Sequence, residues 1–350
     1  MGVLRPSCRQ AAINLVVTLV KFWAIFNQKS NSITVLVRRI GGGFGGKETQ
    51  SFIFAAICTL LSKKTKLPVK LRMDRDDDII ITGKRHDFFS EYEVGFDELG
   101  IIKGLKLKLA SRCGSSPDLS GAINERALLH IDNAYYLENI LVENYLCKTN
   151  TASNTAFRGF GGNQGMMAIE NIIDHIAIHE LGHAIVGLLA KHHAKMKKVV
   201  INLSAPSSPG YTLFEPYHSG LNTREALFEH LMILLAGRIA EEMAYGVSVT
   251  TGAINDFEEA LKLAQKMIVY YGMGKKIIYP HMSDAYKEKI DDEVIDLINQ
   301  AYECAEFIVR NCKELILEGA DILKDKQILT AEDLEDIIND RYSNIRELKI

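Results

Sequence analysis

Apolar positions in the second half of the chain recur every three to four residues, the spacing of a helix with one buried face. The longest such run is Met166–Lys195, which contains no proline and sets Ile169, Ile172, Ile173, Ile176 and Ala177 on one stripe. Further helices are predicted over residues 223–245, 255–271, 287–318 and 331–340. Asn255 is placed to cap the third of these five and Gly272 to end it; Thr330 with Asp333 forms a capping-box pattern before the last. Before residue 177 short β-rich runs dominate: Ile33–Arg39, Val69–Met73, Glu91–Phe96, Ile101–Ala110 and Leu141–Leu146. One helix-like segment, Thr49–Ser62, lies among them. A strand-like insert, Val199–Leu203, returns as Tyr211–Phe214 across Pro206–Gly210. The expected architecture is an α+β first half followed by a mainly α second half.

The long apolar helix carries a metal-binding pattern. Residues 179–183 read His-Glu-Leu-Gly-His, so two imidazoles four apart share one helical face. They offer neutral nitrogens to one Zn²⁺, with Glu180 beside them to take a proton from a zinc-bound water. Two histidines and a water leave zinc one protein ligand short. Asp256 opens a helix, where free N–H groups and the dipole hold a carboxylate. Glu241 and Glu242 compete for the same role and otherwise read as a solvated pair. His192 and His193 read as surface, and His86, His130, His175, His218, His230 and His281 as structural.

Five motifs follow one another in order: His179–Leu189 (HELGHAIVGLL), Gly210–Phe214, Gly237–Glu242 (GRIAEE), Thr250–Asp256 (TTGAIND) and Tyr270–Met273. Over about residues 178–341 this resembles the peptidase domain of FtsH-type ATP-dependent zinc metalloproteases. The resemblance implies a helical peptidase in which His179, His183 and Asp256 bind zinc and Glu180 is the general base. It implies unfolded or flexible polypeptides as substrates and a ring-forming homo-oligomer. The family more often has Ala where Leu181 stands, a position facing away from the metal. No P-loop bearing the required Ser/Thr occurs in these residues, so a separate ATPase is expected as partner.

A glycine-rich stretch, Gly41–Glu48 (GGGFGGKE), lies between a strand-like and a helix-like run. Gly41, Gly43 and Gly46 satisfy a dinucleotide pattern, but the nearest suitable acid, Asp74, lies 28 residues beyond Gly46, somewhat far. The same stretch approaches a P-loop, but Glu48 stands where Ser/Thr would hold Mg²⁺ and would repel phosphate. The wider context points elsewhere. Arg72–Asp78, Thr82–His86, Asn124–His130 and Asn154–Gly162 together resemble the molybdopterin-binding subunit of xanthine dehydrogenase, from about residue 34 to 177. That resemblance implies that Glu48 and Arg126 contact a purine, that Phe160 stacks on it, and that Gly45 and Arg158 lie near the cofactor. An aromatic face for a flat heterocycle, with an acid and a base for its edges, suits those roles. Such hydroxylases need several hundred further residues to enclose molybdopterin, so the site is read as vestigial.

The chain is thus read as a fusion of two fragments: residues 1–33 an unassigned apolar segment, 34–177 molybdopterin-binding, 178–341 peptidase, 342–350 a tail. Helical periodicity runs unbroken across the join. A catalytically silent scaffold with a structural zinc is a third reading. With 47% hydrophobic and 24% charged residues the chain should fold. A net charge of −3 gives no support to a nucleic-acid partner. Six scattered cysteines without a C-x-x-C pair read as reduced thiols, which suits a cytoplasmic location. Ala11–Phe26 is apolar, but sixteen helical residues span only about 24 Å against a hydrocarbon core of about 30 Å, and Lys21 interrupts them. A buried element is favoured there over membrane attachment.

Overall fold

The computed structural model describes residues 29, 42–96, 102–201, 211–215, 222–246, 254–275 and 284–348. The strand expected at Ile33–Arg39, the apolar segment 11–26, Gly41, the turn residues 250–253, the loop 206–210, His218 and His281 lie outside them. The chain divides into two compact units. One comprises residues 1–91, 107–133 and 142–169; the other comprises 92–106, 134–141 and 170–350.

The described elements, in chain order, begin with α1 (Ser51–Thr65), α2 (Arg75–Ile81), β1 (Phe88–Phe96), β2 (Ile102–Gly114), α3 (Ser120–Leu128) and β3 (Ile140–Lys148). They continue with α4 (Gly162–Leu189), β4 (Met196–Val200), β5 (Tyr211–Phe214), α5 (Arg224–Tyr245) and α6 (Ile254–Gln265). The last are α7 (Asp284–Asn311), α8 (Lys313–Lys326), β6 (Ile328–Thr330) and α9 (Ala331–Arg341). A mixed N-terminal region with a three-stranded sheet, β1-β2-β3, therefore precedes a largely helical part holding a second sheet, β5-β4-β6.

The first unit has a small core built from Leu107, Leu109, Ile123, Ala127, Ile131 and Ile169. Polar ties supplement it: His86 Nε2 lies 2.7 Å from Ser120 Oγ, and the Asn154 side chain bridges Lys84 N–H and the Arg112 carbonyl. By contrast, α1 and α2 bury none of their residues, and Ile53, Ile57, Leu60 and Ile80 stand exposed. Val69–Met73, expected as a strand, forms no strand paired among the described residues.

The second unit has the larger core. Leu181, Ala184 and Ile185 of α4 meet Leu231, Leu235, Ala236 and Ala240 of α5, with Ala260, Ala301, Ile308, Leu315 and Leu323 closing around them. Gly182 lets the two helices approach closely: a Cβ there would lie 2.5 Å from the Ala236 carbonyl oxygen. Length and apolarity would let α4 cross a membrane, yet most of its apolar window is buried within the protein.

Several boundaries differ from the periodicity. α4 ends at Leu189, six residues early, because the Glu229 carboxylate accepts N–H bonds from Lys191, His192 and His193 and draws the backbone out of the helix. The run expected as one helix over 287–318 breaks at Cys312 into α7 and α8, and the pattern of buried residues continues through the break, so no periodicity marks it. Asn255 lies inside α6 and does not cap it. Beyond Gln265 the helix loosens into a π turn, Lys266–Tyr270, before Gly272 takes a left-handed φ of 63°. Thr330 and Asp333 do form the expected capping box of α9.

Candidate metal centre

His179 and His183 lie one turn apart on α4, and Asp256 lies in the first turn of α6. The three converge. His179 Nε2 is 3.0 Å from His183 Nε2, and Asp256 Oδ2 lies 3.2 Å and 3.6 Å from them respectively. Four-coordinate zinc with bonds of about 2.0–2.1 Å spaces its ligand atoms about 3.3 Å apart, so the triad fits such an ion. Among the described residues this is the one cluster of three His, Cys, Asp or Glu side chains able to hold a metal.

Hydrogen bonding fixes what each imidazole presents. His183 Nδ1–H donates to the Ile233 carbonyl at 2.6 Å, and His179 Nδ1–H donates to the Glu241 carboxylate at 2.7 Å. Both Nε2 atoms are therefore left as lone-pair acceptors facing each other and an anionic oxygen. Three acceptors converging in a largely desolvated site require a cation between them. The charge state of His179 without metal expresses the same demand. Burial pulls its pKa down, but hydrogen bonds to Asp256 and Glu241 outweigh this and raise it to about 10. Burial likewise works to raise the Asp256 pKa, but bonds to His179 and His183 hold it well below the usual carboxylate range.

One stripe of α5 serves the site. Ile233, Gly237 and Glu241 stand four residues apart, on one helical face. Ile233 orients His183 through its carbonyl and Glu241 orients His179. Gly237 leaves the space between: a Cβ on it would lie 2.6 Å from His183 Nε2 and 2.7 Å from His179 Nε2. Glu241 is 2% exposed, which corrects its reading as a solvated acid. Its neighbour Glu242 faces the other way and binds Arg238 and Tyr302.

Glu180 follows His179 on α4, and burial raises its pKa. Thr212 of β5 lies 3.1 Å from both its Oε2 and its main-chain oxygen. Leu181 points away from the triad into the core, beside Gly319. His193, expected at the surface, is buried; its ring stacks on His230 at 5.1 Å with Nε2 3.0 Å from His230 Nδ1. Gly237 and Thr212 sat in quoted motifs without a role, and the Ile233 carbonyl leaves no trace in the sequence.

In the first unit the two glycine-phenylalanine loops approach each other. Gly45 bridges to Phe157 in antiparallel fashion, and a Cβ on Gly45 would lie 2.3 Å from the Ala156 carbonyl oxygen. Phe44 and Phe160 both take left-handed φ, 51° and 50°. A Cβ on Gly162 would lie 3.6 Å from Arg126 Nε, so Arg126 borders the second loop. Glu48 and Phe160 are half-buried, whereas Arg126 and Arg158 are exposed and Phe44 is 66% exposed. Among the described residues the arrangement is open.

Comparison with known proteins separates the same two regions. The molybdopterin cofactor-binding domain family matches residues 12–186, and the chain belongs to that family over this half. Peptidase family M41 matches residues 168–279, so the two matches overlap on α4. Xanthine dehydrogenase/oxidase of Gallus gallus is 50% identical over 141 residues, covering 40% of this chain and 10% of that protein. The Rattus norvegicus enzyme is 49% identical over 148 residues, 42% of this chain and 11% of its own. Xanthine dehydrogenase 1 of Arabidopsis thaliana is 48% identical over 147 residues, again 42% and 11%. The chain spans about a tenth of the length of these curated relatives. It is a two-part sequence with family membership pointing to an enzyme. Family M41 peptidases use Zn²⁺, and the first family implies molybdopterin.

Proposed function

We propose that this chain is a zinc-dependent metalloendopeptidase acting on unfolded or flexible polypeptides. The observation that carries the reading is the convergence of three lone-pair donors beside a half-buried carboxylate. His179, His183 and Asp256 hold the ion. Zinc bound there would lower the pKa of water and polarise the scissile carbonyl. Glu180 accepts the proton, and its raised pKa readies it to return that proton to the departing amine. Glu241 and the Ile233 carbonyl hold both rings in the tautomer that keeps Nε2 available.

Substrate presentation follows from the second sheet. The central strand β4 pairs with β5 on one side and β6 on the other, so among the described strands it offers no free edge. Among the described strands β5 is an outer one, and Thr212 ties it to Glu180. An extended polypeptide added along β5 would run past the metal centre. A homo-oligomeric ring, a separate ATPase that unfolds substrates, and a cytoplasmic location complete the reading.

A second reading, molybdenum-dependent oxidation of a purine or related heterocycle, draws on the identity to xanthine dehydrogenases. Arg126 and Arg158 are exposed, which does not suit an enclosed cofactor. Elemental analysis of the purified full chain tests the choice. About one zinc per chain with cleavage of casein supports the peptidase; zinc without cleavage supports a structural metal. Molybdenum with pterin fluorescence overturns both.

A further inference from the structure

Beyond the residues already assigned, we infer that Thr212 is a positioning residue for Glu180, setting the orientation of the general base from the neighbouring strand. The inference rests on the peptidase reading, since a positioned base matters only if Glu180 moves a proton.

Thr212 Oγ1 lies 3.1 Å from Glu180 Oε2 and 3.1 Å from the Glu180 main-chain oxygen. Both are acceptors, so the hydroxyl donates its single proton between them. Among the described residues no other side chain hydrogen-bonds that carboxylate. A glutamate left alone samples several rotamers, an entropy that fixing it must overcome. The threonine selects the one in which Oε2 is engaged and Oε1 remains for the reacting proton. General-base transfer needs heavy atoms within about 2.6–3.2 Å, and small misplacements cost up to about 10²-fold in rate.

The position is built to hold that contact. Thr212 faces Val199 across the antiparallel β4–β5 pair, and β4 is anchored on its other side by β6. Phe214, two residues on and on the same strand face, packs against Gly187 of α4, where a Cβ would lie 2.4 Å from the ring. The strand is thus pressed against the zinc-motif helix at two points along its length, one apolar and one polar. Threonine also suits a strand, because branching at Cβ fits the pleated surface.

The test uses Thr212→Val, which keeps branching and volume but removes the donor, and Thr212→Ser, which restores the donor. On an unfolded peptide substrate Thr212→Val should lower kcat about 10-fold or more. KM should stay within about twofold, and Thr212→Ser should recover most of kcat. Zinc content should equal that of the wild type in both. A readout independent of turnover is the double-mutant cycle with Glu180→Ala in denaturant titrations of the metal-loaded chain. The drop in midpoint caused by Thr212→Val should shrink by half or more once the carboxylate is gone. Equal drops in both backgrounds, or a kcat loss that serine does not restore, would overturn the inference. If wild type shows no Glu180-dependent cleavage, the peptidase reading fails, while the cycle still reports whether Thr212 holds the carboxylate.

Discussion

Glu241 Oε1 lies 2.7 Å from Nδ1 of His179, on the side of the ring opposite the metal-facing nitrogen. A buried carboxylate in that place fixes the tautomer and strengthens the imidazole as a ligand, whereas Asp256 contributes its oxygen to the centre itself. Glu241→Gln should therefore keep zinc but weaken its affinity by about 10–100-fold. Asp256→Asn removes the anionic ligand and should cost more. Metal titration of the two variants ranks them; a larger loss for Glu241→Gln would reverse the assignment.

Gly237 supplies a prediction in which stability and function part. Alanine favours an α-helix over glycine by about 1 kcal/mol, so Gly237→Ala should not lower helix stability by propensity. Its Cβ would nevertheless occupy the space beside both Nε2 atoms. Circular dichroism should show native helix content while zinc stoichiometry falls well below one per chain. Full zinc binding by the variant would mean that the site lies elsewhere.

The readable part of this site was its local part. Two histidines four apart on a proline-free apolar run announce themselves, because a helix makes that spacing a single face. Asp256 sits 73 residues beyond His183 and needed the fold, or a family resemblance, to join it. Glu241 was misread because adjacent acids on an amphipathic helix suggest solvent. The i,i+4 pair of Arg238 with Glu242 marks the outward face and leaves Glu241 a hundred degrees around, in line with Gly237. That signal was present in the sequence. The Glu229 carboxylate that ends α4 at Leu189 is a tertiary contact that periodicity does not encode, and the break at Cys312 leaves the pattern of buried residues unchanged.

The stacked pair His193 and His230 makes stability depend on pH. Burial, with neighbouring His193 and His183, holds His230 down to about 4, and burial also lowers His193. Unfolded histidine titrates near about 6.5, so between that value and pH 4 the unfolded chain binds protons that the folded chain refuses. Stability from this pair is complete above about pH 6.5 and is lost as pH falls toward 4. The thermal midpoint should drop by about 5 °C or more from pH 7.5 to pH 5, and His230→Phe should flatten that slope. An identical slope in the variant would remove the pair from the account.

At the other end of the helical part, Thr330 and Asp333 exchange hydrogen bonds at the start of α9. Thr330→Ala should cost about 1 kcal/mol, read as a shift in the denaturant midpoint without a change in slope. Catalysis should not change, since α9 contributes no side chain to the metal centre.

On the peptidase reading, Glu180 moves the proton while the histidines and Asp256 only hold the ion. Glu180→Gln keeps the side-chain volume and leaves all three ligands in place. Zinc content and casein hydrolysis measured together on wild type and this variant test it most directly. About one zinc per chain is expected in both, with hydrolysis falling about 10²–10⁴-fold in the variant. Undiminished hydrolysis by Glu180→Gln would contradict it.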